Sequence, residues 1–473
     1  MSLPHSADLV VVGGGLAGLA AANRAAECGL TVLALEAGED RAYLCNSRIT
    51  MGFINVAFRN IADGPEALRA AIASATRGCA EPALADALAT HAGAALAWLR
   101  RQGVRTIVGN WRPGSDAMLA PPSAIGAGLH WRGRGGDQML RRLETRLVAS
   151  GGCLLRGMRA RDLIMDHGLC CGVIADTAEG RHTFEAAAVV ISDGGFQGDR
   201  ELLARWVTPC PDRVLLRNAG TGRGDGLRMA IAAGAATRGL GGFYGHVQSR
   251  DALTNPRLWP YPTVDMPISA GIVVDDAGQR FADEGLGGVH MANATARRPD
   301  PLATTAVFDH VGWMTRACEF PLPANPLLVK AGATIHVADS LLDLAERAGL
   351  SAPGLCATIE RYNASLAEGR GHALDPPRSP GLWTPTSISH PPFYAVPLVA
   401  GITYTTGGIA IDGEARVIGT SGAPIEGLYA AGSCTGGHEG GPHAAYTGGL
   451  SKALTFGWIA GASVAAFARR NAA

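Results

Sequence analysis

The sequence predicts an α/β fold in which a doubly wound domain, a parallel sheet with helices on both faces, is interrupted by an α+β capping domain. Three observations predict it: a β-branched strand running into a glycine loop and an Ala-rich helix, matching strand and helix signals at both ends of the chain, and a middle stretch rich in proline and irregular segments. At 473 residues the chain exceeds what one hydrophobic core usually supports, so two domains are expected.

The first strand is Asp8 to Val12, followed by the glycine loop and LAGLAAANRAAECG, whose small residues suit a helix packed closely on a sheet. Gly13 permits the tight turn, Gly15 admits a pyrophosphate to the backbone, and Gly18 allows the helix to approach the strand. The helix start, Leu16 and Ala17, then offers free N–H groups to phosphate. The next strand, TVLALEA, carries Glu36 eighteen residues past Gly18, where a carboxylate accepts the hydroxyls of an adenosine ribose and opposes a 2′-phosphate. Strand, loop, helix, strand and acid in this order make a dinucleotide-binding unit.

Composition narrows the partners. Lys plus Arg and Asp plus Glu number 41 each, so no net field recruits nucleic acid or an anionic membrane. The ten cysteines show no CxxC or other metal-ligand spacing, so no metal site is expected, and they read as free thiols of a cytoplasmic protein. The N-terminus lacks the features of a secretion signal. The apolar stretch from Trp458 to Phe467 is about half of what spans a bilayer, so no transmembrane segment is expected and it reads as the helix closing a domain.

Further segments resemble the fumarate reductase and succinate dehydrogenase flavoproteins, in order and along nearly the whole chain. They are Asn46, Ser47 and Gly52; AAAVVISDGGFQGDRELL at 186–203; TGRGDGLRMAIAAGA at 221–235; GIVVDDAGQRFADEG at 271–285; ATIERYN at 357–363; PIEGLYAAGSCTGGHEGG at 424–441; and YTGGLSKALTFGWIAG at 446–461. The resemblance implies a Rossmann-type FAD-binding domain over 1–235 and 385–473 with a capping, substrate domain over 236–384. It implies FAD contacts at Ala37, Ala160, Asp193, Gly194, Gly195, Asp225, Gly432, Ser433, Gly449, Leu450 and Ser451, besides those above. Asp193 replaces the family's Thr or Ala and Ser433 its Glu. The stretch 46–52 lacks the histidine of covalently flavinylated members, so FAD is expected to be non-covalent. No iron–sulfur or haem cysteine run is present, so the electron donor or acceptor is expected to be a separate species.

The shared chemistry moves a hydride between flavin N5 and one carbon while a protein acid or base moves a proton at its neighbour, next to a carbonyl or carboxylate. His246 and Glu284 match family positions, each also readable as an ordinary loop histidine or an ion-paired carboxylate. Tyr404 and Tyr446 stand where dicarboxylate-specific members carry a histidine and an arginine, which removes the positive clamp for a dianion. Arg316 is a candidate proton-donating arginine. A tyrosine before the final glycines is similar to the ketosteroid dehydrogenase branch, which implies Tyr446 as the carbonyl-polarising group and Tyr244 or Tyr404 as base. The alternative is that all three are packing residues. A tricarballylate dehydrogenase branch also resembles the chain and keeps a polycarboxylate substrate open, with Arg48, Arg59, Arg132 and Arg134 read first as structural. A flavin-binding electron-transfer subunit without turnover is the remaining alternative.

Overall fold

The computed structural model describes residues 5–109, 114–124, 126–381, 384–441 and 444–471. Five strands of the first sheet run parallel, in the order Pro424–Ala430, Gly180–Ile191, β1 (Ser6–Val12), β2 (Val32–Glu36) and Cys153–Arg156. Their register, Val12 opposite Ile191 and Leu35, brings the strand ends level. The loops that follow therefore share one edge, the carboxyl edge at which open α/β sheets take ligands. Strands Arg159–Asp166 and Leu169–Thr177 extend the sheet antiparallel, as does Arg416–Ile418 beside Pro424–Ala430.

β2 and the second half of β1, Leu9–Val12, are buried, which explains their unbroken apolar runs. Helix α1 (Leu16–Glu27) packs on the sheet and against the final helix, Gly449–Asn471. That final helix corrects one expectation. The apolar run is longer than Trp458–Phe467: over Gly449–Arg470 it is long and apolar enough to cross a membrane by length and composition, and 72% of the qualifying window is buried inside the protein. Its apolarity is satisfied by α1 and the helix Pro82–Arg101, so it reads as a core helix.

The second sheet is organised by one long strand, Phe393–Thr405, which pairs antiparallel with Phe243–Ser249, Thr304–Phe308 and His336–Ala338, and in parallel with Leu215–Leu216. Two of these strands, Leu215–Leu216 and Phe393–Thr405, fall in stretches assigned above to the FAD-binding domain. The long strand belongs to the second sheet at one end and reaches the first domain at the other. There the Phe196 N–H donates to Thr405 Oγ1 at 3.2 Å and Asn46 Nδ2 donates to the Thr403 carbonyl at 2.8 Å. The pairing with Phe243–Ser249 contains a bulge, because Tyr244 faces Tyr404 but Gly245 faces Ile402, leaving Thr403 as the extra residue.

Candidate functional site

At the carboxyl edge of the first sheet a cleft of about 340 Å³ is lined by Gly13, Gly15, Leu16, Ala17, Glu36, Ala37, Asn46, Ser47, Ala160, Asp193, Gly194, Gly195, Asp225, Gly432 and Ser433. Among the sequence candidates Gly18 lies behind it, where a Cβ would stand 1.9 Å from the Gly13 carbonyl oxygen. This is the close helix-to-strand contact expected of that glycine. Gly13 itself has φ +102, and a Cβ there would meet the Ser192 carbonyl at 2.6 Å. Gly52, also at positive φ, packs on Leu119, and Gly449, Leu450 and Ser451 begin the final helix outside the cleft.

The cleft fits a dinucleotide. The N-cap of α1 is Gly15, which has no side chain to cap the helix, and the helix start Gly15–Ala17 lines the cavity, the Leu16 N–H donating to Ser47 Oγ at 3.1 Å. The Glu36 carboxylate accepts from the Gly14 and Gly38 N–H groups at 2.9 and 2.7 Å, which fixes it at the end of β2. Burial raises its pKa, against the pull of those two N–H groups. Two buried polar atoms of cleft residues, Asp193 Oδ1 and Gln197 Oε1, have no protein partner, as expected of groups that complete their bonding with a ligand. Asp225 meets the cleft already paired to Arg159, at 2.9 and 3.1 Å. Sequence reading missed Cys45, which lines the same cavity and whose thiol burial pushes up to about 12.

The second part of the site is aromatic. The rings of Tyr244 and Tyr446 stack with centroids 4.4 Å apart, Tyr404 lies 5.2 Å from Tyr244, and Phe58 lies 5.2 Å from Tyr446. Sheet pairing brings Tyr244 and Tyr404 onto one face, and the turn before the final helix supplies Tyr446. Burial raises all three phenols above their ordinary pKa. The Gly449 N–H, at the start of the final helix and hydrogen-bonded to the Tyr446 phenol, acts in the opposite sense.

The partners of these tyrosines differ. Tyr404 donates to Glu439 Oε1 at 3.1 Å, and Glu439 in turn accepts from the Thr447 N–H at 3.0 Å and from Lys452 Nζ at 2.9 Å. Lys452 and Glu439 are both fully buried, and the ammonium sits 5.1 Å from the Tyr404 ring centre. Tyr244 meets His246 Nε2 at 3.1 Å, and His246 Nδ1 meets the Asp265 carboxylate. Arg217 lies near enough to Tyr244 to lower its pKa, while its own donors go to the Pro260 carbonyl at 2.9 Å and Thr403 Oγ1 at 2.8 Å.

Two candidates sit elsewhere. Glu284 is buried in the cap, accepting from the Val273 N–H and from Arg280, with Arg378 4.0 Å away, so it reads as the carboxylate that ties the cap together. Arg316 pairs with Glu319 at 2.7 Å in a partly exposed turn, and we assign it no part in the tyrosine cluster. Of the other arginines, Arg48 is buried on Asp137 and Arg59 pairs with Asp63 at the surface. Sequence reading also missed Asp265, Glu439 and Lys452. Only Lys452 carried a signal, a lone cation near the start of a helix whose other cations, Arg469 and Arg470, lie in its last turn.

A family model described as FAD binding domain matches residues 8–449. The fumarate reductase (cytochrome) of Shewanella frigidimarina is 26% identical over 481 residues, covering 99% of this chain and 79% of the relative. A 4-oxocyclohexanecarboxylate 2-dehydrogenase of Sinomonas cyclohexanicum is 33% identical over 342 residues, 63% of this chain and 54% of the relative. Among solved structures, the 3-ketosteroid delta1-dehydrogenase from Sterolibacterium denitrificans in complex with 1,4-androstadiene-3,17-dione superposes with a TM-score of 0.74 at 20% identity, over 98% of this chain and 100% of that one.

Proposed function

Because this chain belongs to the FAD binding domain family and is an FAD-dependent oxidoreductase acting on CH–CH bonds, we propose that its substrate is a ketone, desaturated or reduced at the carbons α and β to the carbonyl. The observation that carries the substrate class is the wall of three tyrosines with a helix-start amide beside Tyr446. Neutral phenols and an N–H stabilise the single oxygen of an enolate, whereas a dicarboxylate needs cationic forks. Arg217, a buried arginine near the wall, is committed to Pro260, Thr403 and the ring of Tyr261.

Gly13, Gly15, Glu36, Ser47 and the loop at Asp193–Gly195 hold the cofactor, which when bound supplies the hydride acceptor or donor at the β-carbon. Tyr446 and the Gly449 N–H hold the carbonyl oxygen and strengthen their bonds as it gains charge. Tyr244 moves the α-proton. Tyr404 is the poorer base, because its phenolate would form against the Glu439 carboxylate. Phe58, itself half exposed, packs its ring on Tyr446.

We place FAD in this cleft without a covalent link: the stretch 46–52 lacks histidine, and the one cysteine lining the cavity holds its proton. Electrons pass to or from a separate donor or acceptor. The ten free thiols fit a cytoplasmic setting.

The test is anaerobic. 4-Oxocyclohexanecarboxylate should bleach the bound flavin, or 1,4-androstadiene-3,17-dione should reoxidise it once reduced. A protein that answers to neither but is reoxidised by fumarate is a polycarboxylate enzyme, and one that answers to none of them is an electron-transfer subunit; either result overturns the ketone reading.

A further inference from the structure

We propose that Asp265, His246 and Tyr244 form a proton relay, in which Tyr244 exchanges a proton with the substrate's α-carbon while His246 takes up or returns the tyrosine's own proton. The inference rests on the ketone reading above and adds a route for the proton that Tyr244 handles.

The geometry supplies each link. Tyr244 and His246 stand two apart on the strand Phe243–Ser249, hence on one face, with the hydroxyl 3.1 Å from Nε2. The Asp265 carboxylate holds the other ring nitrogen, so the neutral imidazole carries its hydrogen on Nδ1 and presents the Nε2 lone pair to the tyrosine. Asp265 is itself fixed, its second oxygen accepting the Val247 N–H at 3.1 Å. Space beside it is reserved, because a Cβ at Gly288 would stand 2.0 Å from the carboxylate carbon.

Need supplies the rest of the case. Burial holds the Tyr244 phenol well above its ordinary range, so it makes a weak base if it must first ionise alone. With an acceptor in line it need not. As the α-C–H bond breaks, its electron pair enters the enolate, whose oxygen faces Tyr446. The proton joins Tyr244 oxygen while the Tyr244 hydroxyl proton passes to Nε2, leaving a neutral phenol and an imidazolium beside a carboxylate. Arg217 favours the transient charge on the tyrosine oxygen. Tyr404 lacks such a partner, since its hydroxyl ends on a carboxylate already engaged by Lys452.

Deuterium exchange at the α-carbons of 4-oxocyclohexanecarboxylate in D2O, followed by proton NMR with the holoenzyme's flavin held reduced, reads this step without hydride transfer. Wild type should exchange. H246Q keeps a hydrogen-bonding group but cannot take up a proton, and should exchange about 100-fold more slowly or worse. D265N should lose at least about tenfold. Added imidazole should restore exchange in H246A, which a merely structural histidine would not allow. Exchange by H246Q at the wild-type rate with FAD retained, or no recovery with imidazole, overturns the relay and leaves the ketone reading standing. No exchange by wild type overturns both.

Discussion

Replacing Tyr446 by phenylalanine removes one hydroxyl and leaves the ring. The stacking on Tyr244 at 4.4 Å and the contact with Phe58 at 5.2 Å are contacts of the ring, so FAD content and folding should match wild type. What disappears is one of the two donors proposed for the developing enolate oxygen, the other being the Gly449 N–H, which in the free site meets the Tyr446 phenol. Deleting one preorganised donor of such a pair costs about 3–4 kcal/mol of transition-state stabilisation, or roughly 10²- to 10³-fold in the rate of flavin reduction. The loss should fall on the rate and spare ketone affinity, because the ground-state carbonyl is a weak acceptor that the amide still holds. Anaerobic stopped-flow bleaching with 4-oxocyclohexanecarboxylate separates the two. A Tyr446→Phe protein that reduces its flavin within about threefold of wild type would refute the assignment and return the tyrosine to a packing role.

Glu439→Gln leaves the Lys452 ammonium buried without its counter-charge and should lower stability by about 3–5 kcal/mol, read as a fall in denaturation midpoint; an unchanged midpoint would mean that the pair is hydrated. Arg316→Ala should leave flavin reduction near wild type and stability within about 1 kcal/mol, because its pair with Glu319 is partly exposed, and a large rate loss would restore Arg316 as proton donor. Gly18→Ala should give protein without flavin, since the new methyl collides with the Gly13 carbonyl, and a yellow, stable variant would contradict the packing described. Asp193, moved from the usual 3.8 to about 7 by burial, with the Gly226 N–H opposing and Asp225 reinforcing, holds its proton in the folded cofactor-free protein over a range where the unfolded chain has lost it. Cofactor-free stability should therefore fall as pH rises from about 4 to about 7, by at most ~4 kcal/mol from this group, and stay level above; Asp193→Asn should flatten that slope, and an unaltered slope would place its origin elsewhere.

The cofactor cleft was legible because its signals are local. β1, the glycine loop and α1 follow one another within a few turns, and Glu36 falls where the next strand must end. The turn at Asp193–Gly195 was legible through the resemblance of AAAVVISDGGFQGDRELL to the family's strand and turn. The tyrosine wall is different in kind. Tyr244, Tyr404 and Tyr446 come from a strand, its distant partner and a turn before a helix, and only the pairing register decides that they meet. The groups behind them were less legible still. Asp265 belongs to a short helix with no pattern of its own, and Glu439 sits in a glycine-rich turn whose direction no spacing rule gives. His246 matches a family position in the sequence, and in the fold its ring nitrogens meet Tyr244 and Asp265. Glu284 and Arg316 were singled out by motif, and their ion pairs with Arg280 and Glu319 are properties of the folded cap that a motif does not contain.

The bulge at Thr403 makes chain length the most sensitive variable at this site. With one residue more on the long strand than on its neighbour, Tyr404 faces Tyr244 and the bulged residue's carbonyl is free to receive Asn46. Deleting Thr403 would keep every aromatic residue and every charge and leave Tyr404 opposite Tyr244 in a now regular pairing, yet remove the carbonyl that receives Asn46 and the hydroxyl that receives Arg217, and with them the seam that joins the two sheets. Substitutions in this strand can be accommodated one contact at a time. A single-residue deletion cannot, so diversification of this enzyme should proceed by exchanging side chains on a strand of constant length.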